Sequence, residues 1–253
     1  MSYQSSNQAW HRRYNLILGG PAAAPSPPGS LTIYYDYGLP LFAPFPPGST
    51  ADWPAGVLAQ YQAFIARFSV QAPETFETGF AYLQPIQGVT INSNGHSAVI
   101  AHNGGGFPTN IITFDFGTGG LYNTTPMQGI DITTGMWYAT FGQQTGNPIP
   151  TFIMDITFNV PNSIVAFGIF LTDLADALHS TSIEVFRHGG GSIVQSPLQP
   201  SVPPGSASGA MTFWGFVDTT GAKYDSVRIT IDGQGEINAI DGIWFADISQ
   251  ILP

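Results

Sequence analysis

Between residues 151 and 248 large apolar residues return at every second position, as in Phe152, Met154, Ile156 and Phe158. A strand written this way buries one face and leaves the other polar. Four segments carry the pattern, FIMDITF, AFGIFLTDL, MTFWGFVDTTG and INAIDGIWFADI, with acidic loops between them. The same reading predicts strands at Phe152–Asn159, Val165–Thr172, Ser182–Phe186, Met211–Val217, Val227–Ile231 and Ile243–Ile248. Upstream it predicts them at Glu74–Phe80, Val89–Ile91, Ala98–Ala101, Ile111–Phe116 and Met136–Phe141. About eleven short strands joined by Gly- and Pro-rich loops predict an all-β fold, a two-sheet antiparallel jelly-roll-like sandwich. Gln195–Gly209 is expected to be a long loop within it.

One stretch has a helical period. Val57, Leu58, Tyr61, Phe64, Ile65 and Phe68 recur at 3.6-residue spacing behind Asp52, Trp53 and Pro54, which predicts a helix from Pro54 to Phe68. Before it the prolines at 21, 25, 27, 28, 40, 44, 46 and 47 interrupt any ladder, because proline lacks the amide hydrogen. The expected organisation is an extended arm over residues 1–50, a helix and linker over 51–71, and a β-sandwich domain over 72–253. Within the arm, LTIYYDYG has strand composition, and Trp10, Tyr14, Tyr34, Tyr35, Phe42 and Phe45 are too many rings for a solvated linker. They need a surface, either the chain's own sandwich or a neighbouring subunit.

Composition narrows the partners. Six Lys+Arg against sixteen Asp+Glu give a net charge of −10, which opposes binding to nucleic acid or to an anionic membrane. With no cysteine there is no disulfide and no thiolate metal site. No apolar run reaches the length of a signal-peptide core or a transmembrane helix.

Four blocks together resemble a known family. They are a helix ending just before ETFE, YNTTP at Tyr122–Pro126, AFGIFLTDLAD at Ala166–Asp176, and FWGFVDTTGAKYDSVRITI followed by AIDGI. In this order they are similar to the lectin-like β-sandwich of PEP-CTERM-sorted bacterial extracellular proteins, over roughly Ala72 to Ile248. The secreted members carry a signal peptide and a C-terminal sorting tail with a Pro-Glu-Pro motif, and neither is seen in this sequence. The expectation is therefore a non-enzymatic structural protein of a bacteriophage particle, a capsid decoration protein or tail appendage, by analogy at the level of fold. Its sandwich would face outward and its arm would contact neighbouring subunits in a homo-oligomer or virion. The alternative is a carbohydrate-binding, lectin-like module of an extracellular protein.

Candidate chemistry is sparse. Glycoside hydrolysis needs two carboxylates across a cleft, and the only glutamates are Glu74, Glu77, Glu184 and Glu236. Asp155 and Glu184 sit in alternating strands as outward polar residues. No HExxH and no G-x-S-x-G occurs. Calcium, which takes carboxylate and carbonyl oxygens, has two candidate sites. Asp173 and Asp176 share one turn, and Glu77 would meet Asp241 if the first and last strands paired as edges. Sugar recognition by aromatic platforms has candidates in Tyr122 with Asn123 and Trp137 with Tyr138. Trp214 and Trp244 belong to the core.

Overall fold

The computed structural model describes residues 29–38, 53–76, 84–103, 110–113, 137–142, 152–160, 163–172, 181–195, 211–231 and 237–253. The fold is all-β with one α-helix among them. In chain order the elements are β1 (Leu31–Gly38), α1 (Ala55–Ile65), β2 (Gln84–Pro85), β3 (Thr90–Ser93), β4 (His96–Asn103), β5 (Asn110–Thr113) and β6 (Trp137–Gly142). There follow β7 (Phe152–Phe158), β8 (Ile164–Thr172), β9 (Thr181–Arg187), β10 (Ser192–Gln195), β11 (Met211–Asp218), β12 (Tyr224–Ile231) and β13 (Ile237–Asp247), then a 3-10 turn at Ile248–Gln250. All pairings are antiparallel. Sheet I runs β1-β11-β8-β13-β6-β5-β2 and sheet II runs β10-β9-β12-β7-β4-β3. Among the described residues a single bridge, Tyr224 opposite Ile164, joins them.

The alternating strands build the inner core. Met154, Ile156 and Phe158 of β7 and Val227 and Ile229 of β12 pack against Phe167, Ile169, Trp214, Phe216, Ile243 and Phe245 of sheet I. Trp214 and Trp244 are both buried, as the sequence predicts. Strands β8 and β11 differ from β7, because every described side chain along MTFWGFVD is buried and so are those from Ile164 to Leu171. A strand buried on both faces reads as a continuous apolar run. The second cover is α1, which lays Val57, Phe64 and, just past its end, Phe68 against Ala166, Phe170, Met211, Phe213 and Trp244. Ring centroids 4.7–5.5 Å apart link Phe64 to Phe68, Phe213 and Tyr34, and Tyr61 to Phe170 and Trp244. The molecule thus has three layers: helix, sheet I and sheet II.

A pair of glycines seats the helix. Gly168 of β8 and Gly215 of β11 face one another in register and leave a notch on the outer surface of sheet I. Phe64 fills it, and a methyl group on Gly168 would fall 2.7 Å from the Phe64 ring.

Several sequence expectations are corrected in detail. Leu31–Gly38, assigned to an arm, is a full strand of sheet I paired to β11 from Leu31–Asp218 to Gly38–Met211. Its Tyr34 is buried against Phe64 in this chain's own core, so that ring is closed to a neighbouring subunit, and Tyr35 packs on the inner core. The helix ends at Ile65 rather than Phe68, because Phe68 turns out to bridge Ile251. Of the strand predicted at Glu74–Phe80, residues 77–80 lie outside the described residues, and Glu74–Phe76 is not a ladder strand. Glu74 makes one bridge to Ile243, and Phe76 has φ 57°, outside the β region. The Glu74 carboxylate holds this bend by accepting from the N–H of Phe76 (2.9 Å) and of Asn92 (3.1 Å). Strand β10, at Ser192–Gln195, was not anticipated.

The two poles of the sandwich differ. At one, short turns join β3 to β4, β9 to β10 and β11 to β12, β7 ends and β8 begins, and both ends of the described chain lie there. Ser30 accepts from the Thr219 N–H at 2.8 Å, while Leu252 donates to Arg67 at 2.7 Å. From the other pole leave the connections 104–109, 143–151, 173–180, 196–210 and 232–236. The register places their strand ends together: Ile231 is opposite both Phe152 and Thr181, Met211 opposite Thr172 and Gly38, and Ile237 opposite Gly142. The connection 114–136 leaves from the flank, between β5 and β6.

Candidate functional site

Of the predicted site residues, Tyr34, Tyr35, Trp137, Tyr138 and Asp241 fall among the described residues. Asp241 lies on β13, an interior strand between β6 and β8 rather than an edge, and its predicted partner Glu77 falls outside the described residues. Asp241 is 1% exposed, opposite Phe170 and under the helix layer. Burial, and after it the charge of Asp241, pushes the Tyr61 hydroxyl up to about 12. A bulge follows at Gly242, φ 50°, where a side chain would strike the Trp244 ring. Trp137 and Tyr138 open β6 and pair with Thr113 and Ile112. Glu77, Asp173, Asp176, Tyr122, Asn123, Trp10, Tyr14, Phe42 and Phe45 lie outside the described residues. Among the described residues no group of three or more His, Cys, Asp or Glu side chains could hold a metal ion. No described helix is long and apolar enough to cross a membrane.

Three of the described carboxylates, Asp218, Glu74 and Asp247, have a structural task. Asp218, fully buried at the end of β11, accepts from the Thr220 N–H (2.7 Å), the Thr220 hydroxyl (2.6 Å) and the Tyr224 hydroxyl (2.6 Å). It closes the DTTGAKY turn as an Asx turn does. Glu74 is buried enough that desolvation raises its pKa, against the three backbone N–H groups of Asn92, Phe76 and Thr75 that lower it.

Asp247 starts the last turn with a capping box and pairs with His96 at 3.2 Å. Burial acts to raise its pKa, but the Ser249 hydroxyl and N–H, His96 and the Gln250 backbone together hold it below the ordinary value. A depressed folded pKa stabilises the fold above the unfolded value and loses that contribution as pH falls through the folded one. In acid unfolding curves Asp247→Asn should therefore flatten part of the loss below pH 3.8. An unchanged acid limb would show that the pair is idle.

The outer face of sheet II carries a different arrangement. Alternation puts Asp155 of β7, Arg228 of β12 and Glu184 of β9 side by side, in direct cross-strand register. Arg228 Nε and one terminal nitrogen donate to the two Asp155 oxygens at 2.8 and 3.0 Å, a bidentate pair. Glu184 accepts from the Ser192 hydroxyl at 2.6 Å. The Arg228 guanidinium lies 5.4 Å from the Phe186 ring centroid. Thr157, Ser226, Thr230 and Ser182 flank the row on neighbouring register positions. Sequence reading found Asp155 and Glu184 only as outward polar residues. The alternation of DSVRITI places Arg228 on the outer face too, but only the strand order 7-12-9 brings the three together.

No protein-family model and no curated protein sequence matches the chain. Among solved structures it is similar to the carbohydrate-binding module TmCBM61 in complex with β-1,4-galactotriose, at 10% identity and TM-score 0.30, covering 58% of this chain and 88% of that one. It is also similar to the enzymatically active domain of bacteriophage CBA120 tailspike protein 4, at 10% identity and TM-score 0.34. That match covers 72% of this chain and 21% of the tailspike chain. Likeness at this level carries no functional argument.

Proposed function

We propose that the chain is a non-enzymatic structural protein of a bacteriophage particle, a decoration protein or tail appendage that presents its sandwich outward. The observation that supports this is the polarity of the fold. The aromatic, proline-rich segment 1–28 joins the sandwich at Ser30, on the pole of short turns, and most of the longer connections leave from the opposite pole. A module tied at one pole and elaborated at the other suits display, as loops on a rigid scaffold carry recognition. The informative truncation stops at Pro28, because β1 belongs to the sheet. Removal of residues 1–28 should abolish incorporation into particles, read by mass spectrometry of purified virions, and leave the melting curve of the sandwich intact. Full occupancy of the truncated protein in virions would refute the anchoring role, and absence of the intact protein from virions would refute the particle assignment.

A carbohydrate-binding role is the second reading, and the outer face of sheet II is what favours it.

A further inference from the structure

We infer that the outer face of sheet II is a binding surface for uncharged oligosaccharide, centred on the Asp155–Arg228–Glu184 row; this rests on the carbohydrate reading and assigns it a place. The two outer faces of the sandwich are built differently. The aromatic side chains of sheet I are covered by α1, whereas no described element packs on sheet II. Six strands about 4.8 Å apart make that open face roughly 24 Å wide.

Its chemistry selects the partner. A protein interface centre is enriched in aromatic and apolar residues and depleted in charge, whereas here the centre is an ion row, with Thr157, Ser226 and Phe186 on one side of it and Ile153, Thr230 and Ser182 on the other. Nucleic acid requires a basic stripe, and this row sets two carboxylates against one guanidinium. An uncharged polyol asks for what the row supplies: planar donors and acceptors held in fixed positions, beside an apolar ring. Arg228 is fixed by two bonds to Asp155, Glu184 by Ser192, and Phe186 lies against the guanidinium. The Arg228 and Asp155 side chains keep 41% and 33% of their surface exposed, so a ligand can reach them. Groups already ordered on a sheet lose little entropy when they bind.

The test is binding of the full chain to an array of neutral hexose and N-acetylhexosamine oligosaccharides, with uronic-acid oligosaccharides as a second arm. The wild-type chain should bind members of the neutral arm with little dependence on salt. Arg228→Ala and Arg228→Lys should each weaken that binding about tenfold or more, since lysine keeps the charge but not the fork. Thr157→Trp, on an exposed position of the same face, should block it while all three side chains of the ion row are kept. Melting temperatures of the three variants distinguish loss of binding from loss of fold. Neutral-glycan binding that survives all three substitutions overturns the site but leaves the carbohydrate reading standing. Binding confined to the uronic-acid arm overturns the inference of an uncharged ligand and leaves the carbohydrate reading standing; binding to no glycan overturns both.

Discussion

Gly168→Ala should loosen the helix from the sheet although it adds only one methyl group. The notch formed by Gly168 and Gly215 holds the Phe64 ring, and the new methyl would lie 2.7 Å from two of its carbons. Phe64 has little freedom to retreat, being fully buried between Tyr34, Phe68, Phe213 and Trp244. Overpacking of this kind costs about 1–3 kcal/mol. Phe64→Ala leaves a void in the same place and should cost about 3–5 kcal/mol. The double variant decides the mechanism, because once the ring is gone the methyl occupies part of the vacated space. The two changes together should then cost less than the sum of their separate costs, by about 1 kcal/mol or more. Urea unfolding of the four proteins measures this cycle. Strict additivity would mean that the glycine pair is not the socket of Phe64.

The third layer was legible in the sequence only in part. Strand β7 alternates and was readable as half buried. In MTFWGFVD, Phe213 and Trp214 are adjacent and both buried, on opposite faces, one toward the helix and one toward sheet II. Uninterrupted apolar character in a strand is the mark of two covered faces, and the apolar stripe of α1 is its complement. What period could not convey is which elements meet. Leu31–Gly38 reads as a strand inside an arm because proline-rich segments surround it, yet its eight residues pair fully with β11.

The candidate surface shows the same limit. Asp155, Glu184 and Arg228 are separated by dozens of residues and become neighbours through strand order, which local patterning does not encode. The place of Asp241 also follows from the sheet: a bulge at Gly242 keeps AIDGI within β13, an interior strand, and the Asp241 side chain is buried. Phe76 escaped because a bulky residue at positive φ has no sequence signal.

Alkaline solution should unfold this protein, and Tyr224 should account for a large share of the effect. Its ring is fully buried against Phe216 at 4.6 Å, and its hydroxyl donates to Asp218. Burial first, and then the hydrogen bond to Asp218, push the hydroxyl up to about 12 from 10.0. Arg187, 3.4 Å away, opposes this without prevailing. A folded pKa above the unfolded one gives stability that is complete below pH 10 and disappears as pH rises toward about 12. Two units correspond to on the order of 2–3 kcal/mol. Tyr61 is raised to the same value and titrates in the same window, so Tyr224→Phe should remove one part of the alkaline loss and leave another. At neutral pH that substitution should cost about 1.5–3 kcal/mol, the price of a hydrogen bond to a buried carboxylate. Asp218→Ala should cost more, about 3–5 kcal/mol, because it strands the Tyr224 hydroxyl and the Thr220 N–H together. Urea unfolding of the wild type and both variants across this pH range, with tyrosinate absorbance followed in parallel, reads every term. If Tyr224→Phe leaves the alkaline slope unchanged, the Asp218–Tyr224 bond does not close the β11–β12 turn in the way the geometry indicates.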